Sequence, residues 1–132
     1  MSRSVEYVVL PLPQGSHFHE VIDVRAPVEF VEDHLTGAIN LPVLDDEERR
    51  RVGTIYKHDS PFEARKLGAV LVSRNIAAHL ESHFSTKGKD YRPLLYCWRG
   101  GQRSGSLATV LNDIGWATTV IEGGYRNYRS HV

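Results

Sequence analysis

The stretch Leu94-Leu95-Tyr96-Cys97-Trp98-Arg99-Gly100-Gly101-Gln102-Arg103-Ser104 holds the residues with the clearest capacity for chemistry, and Cys97 is the chain's single cysteine. An apolar strand runs through a glycine-rich loop into a helix, with the thiol at the loop's first position. There, successive backbone N–H groups can converge on one cavity, and the positive end of the following helix adds partial charge. Such a field welcomes an anion and favours thiolate over thiol, so Cys97 is expected to be a nucleophile near neutral pH. Gly100 and Gly101 allow a tight turn. Arg99 and Arg103 offer charge-assisted hydrogen bonds to an oxyanion. Trp98, Arg99, Gly100, Gly101, Gln102, Arg103 and Ser104 are therefore the expected anion- and donor-binding residues around Cys97. The competing reading, a cysteine buried for packing beside an ordinary turn, leaves the two arginines and two glycines unexplained.

Two other chemistries share this loop. Cys97 to Arg103 has the C-x-x-x-x-x-R spacing of cysteine phosphatases, in which the thiolate attacks phosphorus and the arginine clamps the equatorial oxygens. Asp23 is then the one acid candidate. Arsenate reduction would need further thiols, and the sequence has none. A non-enzymatic binding module is the third class, although such modules usually lack the cysteine.

The elements that must position this loop alternate between strand and helix. Val5 to Leu10 and Val21-Ile22-Asp23-Val24 read as buried strands. Pro27 suits a first helical position, and Val28, Phe30, Val31 and Leu35 give a one-sided apolar stripe that Gly37 ends. Ala38 to Pro42 reads as a brief strand. Asp45-Asp46-Glu47-Glu48-Arg49-Arg50-Arg51 places acids before bases, as a helix macrodipole prefers. Phe62 to Phe84 fits a helical region interrupted near Asn75. After a polar linker, Ser85 to Arg92, the strand Pro93 to Tyr96 leads to Cys97. Arg103 to Ile114 forms the next helix, and Ala117 to Ile121 the last strand. The expected fold is α/β, a mostly parallel sheet flanked by helices on both faces.

Ile22-Asp23-Val24-Arg25, Glu29-Phe30, His34 and Gly37-Ala38-Ile39-Asn40-Leu41-Pro42 resemble the first signature of rhodanese-like domains, and Glu122-Gly123-Gly124-Tyr125 resembles their closing one. The resemblance implies a sulfurtransferase fold, with Asp23 and Arg25 as supporting residues near the catalytic end of the sheet and Glu29 placed to pair with Arg25. Glu48-Arg49, Val52-Gly53-Thr54, Tyr56-Lys57, the loop through Ser104 and Glu122 to Tyr125 together resemble the amino-terminal domain of the tRNA 2-selenouridine synthase family. That narrower resemblance implies a persulfide or selenylsulfide on Cys97. It also implies a sulfur donor or selenophosphate as substrate, tRNA as a partner, and conversion of 2-thiouridine to 2-selenouridine with a geranylated nucleoside as intermediate. The family adds a P-loop domain. No G-x-x-x-x-G-K-[ST] occurs in this sequence, so residues 1–132 are expected to form a single rhodanese-like domain whose P-loop partner acts in cis or in trans.

Composition is compatible with this reading. At 132 residues and 41% hydrophobic content the chain suits one core. Sixteen basic residues balance sixteen acidic ones, so any contact with a polyanion must be local. One cysteine, no signal-peptide pattern and no long apolar run imply a reducing, cytoplasmic setting without a membrane. No bound cofactor and no metal are expected. His79 and His83 are four apart, but Leu80 stands where a zinc protease needs glutamate and no third ligand is evident; His17 and His19 are read the same way. Trp98 with Arg99 could stack on a base, and Arg49-Arg50-Arg51 could meet phosphate, although charged helix faces are usually only solvated.

Overall fold

The structure is a computed structural model that describes residues 5–9, 11, 12, 14–97 and 102–121, with Gln102 described for its backbone alone. Five parallel strands, β1 (Glu6–Val8), β2 (Glu20–Asp23), β3 (Ile39–Asn40), β4 (Pro93–Tyr96) and β5 (Thr119–Ile121), pair in the order β1-β5-β4-β2-β3. Every residue of β4 and β5 is buried, as expected of parallel strands covered on both faces.

Side chains alternate across the sheet. On one face Ile22, Val24, Leu95, Cys97 and Val120 pack with Ile76, Phe84, Leu107, Ala108 and Leu111. These partners belong to α3 (Pro61–Glu81), the 3-10 turn His83–Thr86 and α4 (Gln102–Ile114). On the other face Leu94, Tyr96 and Ile121 pack with Leu35 and Ala38, and with partly buried Leu12, Phe18 and Phe30. Short α1 (Pro27–Glu32) and the loops beside it form that second layer.

α1 ends at Glu32, five residues short of the expected glycine stop. Its stripe meets the core only in part: Phe30 packs on it, but Val28 and Val31 are exposed, and Leu35 is buried only after the helix has ended. The chain turns extended at Asp33, whose carbonyl accepts a 2.6 Å hydrogen bond from Arg25 Nη2, and Gly37 with φ 82° completes the approach to β3. The charged run becomes α2 (Asp46–His58). Its N-cap is Asp45, which accepts from the Glu48 amide while Glu48 Oε1 accepts from the Asp45 amide. Arg49, Arg50 and Arg51 thus lie within the helix, and Lys57 and His58 occupy its last turn.

α3 is continuous through Asn75, contrary to the expected interruption. The Asn75 amide donates to the Val43 carbonyl at 2.8 Å and to Glu48 Oε1 at 2.9 Å, which fastens α3 to the start of α2. Among the described residues, no helix is long and apolar enough to cross a membrane.

Candidate active site

Strand order reverses between β2 and β4. From β2 the chain adds β3 on one side, and from β4 it adds β5 on the other. The crevice at the carboxyl ends of such strands is where open α/β sheets bind ligands. Asp23 pairs in register with Tyr96, so the turn after β2 and Cys97 after β4 meet at this switch point.

The β2 turn is rigidly built. Arg25 and Asp23 form a buried ion pair, with Nε 3.0 Å from both carboxylate oxygens and Nη2 2.7 Å from Oδ2. Asp23 Oδ1 also accepts the Arg25 amide at 2.8 Å. The Asn40 side chain donates to the carbonyls of both Asp23 and Arg25. Burial alone would lower the Arg25 pKa, but the hydrogen bond and charge of Asp23 overcome it and raise the value. Arg25 lies over the Tyr96 ring, 5.7 Å from its centroid, and the Tyr96 hydroxyl accepts the Leu35 amide at 3.0 Å. Burial, reinforced by Asp23, holds that phenol well above its ordinary value.

Cys97 has no solvent exposure and packs on the α3/α4 face of the sheet. Its Sγ lies 3.3 Å from the buried Ser104 Oγ in the first turn of α4. Trp98, Arg99, Gly100 and Gly101, the side chain of Gln102 and the signature Glu122 to Tyr125 lie outside the described residues.

Arg103 is joined to Glu29 by Nη1 to Oε1 at 2.9 Å and Nη2 to Oε2 at 3.4 Å. This corrects the expected pairing of Glu29 with Arg25, whose guanidinium is taken by Asp23. Glu29 also accepts the Ala26 amide at 3.0 Å, and Arg49 Nε lies 3.7 Å from Oε1. Burial pushes the Glu29 pKa up, but Arg103, the Ala26 amide and Arg49 more than offset it and hold the carboxyl below its ordinary range. Sequence reasoning missed this link because its partners are far apart in the chain. The Asp23–Arg25 pair had a signal: residues two apart in extended chain point the same way.

The histidines diverge. His79 Nε2 is 2.7 Å from the Pro42 carbonyl, and His83 Nε2 is 2.8 Å from Glu20 Oε1. Tyr91 also donates to Glu20, while His19 Nδ1 accepts the Arg92 amide and His17 packs edge-on against His19.

A parallel α/β sheet with a cysteine leaving its switch point, directly before an arginine-bearing helix, defines a rhodanese-type domain. The chain belongs to the rhodanese-like domain family, whose model matches residues 5–131. It is 44% identical over 113 residues to a tRNA 2-selenouridine synthase of Nitrosomonas europaea, covering 85% of this chain and 29% of that protein. A synthase of the same name from a Sulfurovum species is 39% identical over 127 residues, covering 90% of this chain and 35% of the relative. The chain thus spans about a third of the length of these curated relatives and resembles their amino-terminal domain. Among solved structures, the N-terminal domain of a Clostridium difficile 630 protein named for ATP/GTP binding superposes with a TM-score of 0.73 at 35% identity, covering 97% of this chain and 98% of that one.

Proposed function

We propose that this domain carries sulfur or selenium on Cys97 for a tRNA-modifying enzyme that converts 2-thiouridine to 2-selenouridine. The observation that carries the reading is the position of Sγ at the switch point, beside Ser104 in the first turn of α4. With a sulfane donor such as thiosulfate, the Cys97 thiolate attacks the outer sulfur. The S–S bond of the donor breaks, sulfite leaves with the electron pair, and a cysteine persulfide anion remains. Amides at the start of α4 would stabilise that terminal anion, and Arg99 and Arg103 would attract the incoming donor.

The relatives' name supports tRNA as the acceptor. The parent of the Clostridium domain, named for ATP/GTP binding, supports a nucleotide-binding P-loop domain as the working partner, in cis or in trans. Selenophosphate is the selenium source this reading assigns to the assembled enzyme, with the cytoplasm as its setting. Phosphatase chemistry is disfavoured, since Asp23, the acid it would need, is locked in the buried pair with Arg25.

Intact mass after incubation with thiosulfate, or with selenite plus glutathione, should show an adduct that Cys97→Ser abolishes. An adduct that persists in Cys97→Ser refutes the assignment. Turnover of a small aryl phosphate dependent on Arg103, without sulfur loading, would establish the phosphatase instead.

A further inference from the structure

Among the described residues, the outer face of α2 is mostly exposed. Val52 and Ile55 turn inward and are partly buried, whereas Arg49, Arg50, Gly53, Thr54, Lys57 and His58 are exposed and line one groove of about 530 Å³. They form two parallel rows at four-residue intervals, Arg49-Gly53-Lys57 and Arg50-Thr54-His58, repeating every ~6 Å along the axis. The helix's acidic residues, Asp46, Glu47 and Glu48, are confined to the first turn. Among the described residues, no ion pair engages Arg50 or Lys57. A β-carbon added at Gly53 would meet nothing within 4 Å, so the middle of the groove is open down to the backbone. Tyr56, 58% exposed, follows Arg49 by seven residues and so shares its side of the helix.

This groove is tied to the active site. Arg49 Nε is 3.7 Å from the Glu29 oxygen that accepts from Arg103, in the first turn of the helix that follows Cys97. We propose that the groove binds the sugar–phosphate backbone of the tRNA on which the Cys97 site acts; the inference rests on the function proposed above and names where that partner sits. Arg49, Arg50 and Lys57 neutralise phosphates, Thr54 and His58 add hydrogen bonds, and Gly53 admits the backbone closely. The Tyr56 ring offers a platform for an unstacked base. In a protein of zero formal charge, this concentrates local attraction for a polyanion one carboxylate away from Arg103 in the first turn of α4.

The test is fluorescence anisotropy of a labelled tRNA transcript titrated with the chain at several salt concentrations. The Arg50→Gln/Lys57→Gln variant should bind at least about tenfold more weakly, with a log–log salt slope shallower by about 2, while thiosulfate loading of Cys97 stays at the wild-type level. Circular dichroism establishes that the variant is folded. In the wild-type chain, saturating tRNA should also slow acylation of the Lys57 amine, read by peptide mass. Unchanged affinity and slope in the folded variant, unprotected Lys57, or no binding of tRNA at low salt would each overturn the groove. Failure of Cys97 to load sulfur, with tRNA binding still dependent on Arg50 and Lys57, would instead overturn the transfer reading and leave the groove standing.

Discussion

Glu29 and Arg103, 74 residues apart in the chain, meet at 2.9 Å and join the helix after β2 to the helix after Cys97. The carboxylate tethers the guanidinium and cancels much of its charge. If Arg103 attracts the anionic donor, Glu29 opposes that attraction while fixing the arginine's position.

Glu29→Gln should therefore lower the half-saturating thiosulfate concentration severalfold, because the local field becomes more positive. The maximal rate of thiocyanate formation with cyanide as acceptor should change by less than about twofold. Steady-state kinetics decide the matter, and a half-saturation unchanged or raised would show that the tether does not restrain donor capture.

Acid stability should depend on Glu20 and Glu29. Burial works to raise both carboxyls, but Glu20 is held below its ordinary value by Tyr91, His83 and Lys87, and Glu29 by Arg103, the Ala26 amide and Arg49. An acid with a depressed folded pKa binds fewer protons when native than when unfolded. Its stabilisation is therefore present above the unfolded value of about 4.3 and is lost as pH falls through the folded one. Urea midpoints should fall below about pH 5, and Glu29→Gln should flatten that decline. Parallel curves for wild type and variant would contradict the assignment.

Asp23→Ala should be severely destabilising. It takes the buried carboxylate of the ion pair away from Arg25, 2% exposed, for which a loss of about 3–5 kcal/mol is expected. The double variant Asp23→Ala/Arg25→Met should recover part of the loss in urea unfolding. A loss below about 1 kcal/mol for Asp23→Ala would mean that water reaches the guanidinium.

Gly53→Ala should raise stability by about 0.5–1 kcal/mol, because an exposed glycine within a helix is costly and the new methyl meets no neighbour. The same substitution should weaken tRNA binding by narrowing the groove. Thermal melts and anisotropy on one sample separate the two effects, and a stabilised variant with undiminished tRNA affinity would remove Gly53 from the binding surface.

β4, β5 and the position of the thiol are legible because buried parallel strands announce themselves as short apolar runs, whereas the run from Val5 yields a shorter strand, Glu6–Val8, with Glu6 and Tyr7 exposed. Pro93–Tyr96 has the expected boundaries, and α4 begins one residue before the expected Arg103. The errors fall where a distant contact outweighs local pattern. The apolar stripe after Pro27 suggested a longer helix, yet Arg25 takes the Asp33 carbonyl and the chain leaves the helix there. Asn75 looked like a break because asparagine is a poor helix former; its amide instead satisfies two acceptors from the preceding segment. Glu29 lies four residues from Arg25, yet the fold brings Arg103 to it from 74 residues away.

β4 ends with two neighbours that serve opposite layers, Tyr96 beneath α1 and Cys97 beneath α4. Placement of the sulfur is thus a matter of odd and even. Lengthening the polar linker before Pro93 leaves the parity of β4 intact, whereas one residue inserted within β4 would send a phenol to the α4 layer and the thiol to the α1 layer. The domain should consequently tolerate length variation around its sheet far better than within this single strand.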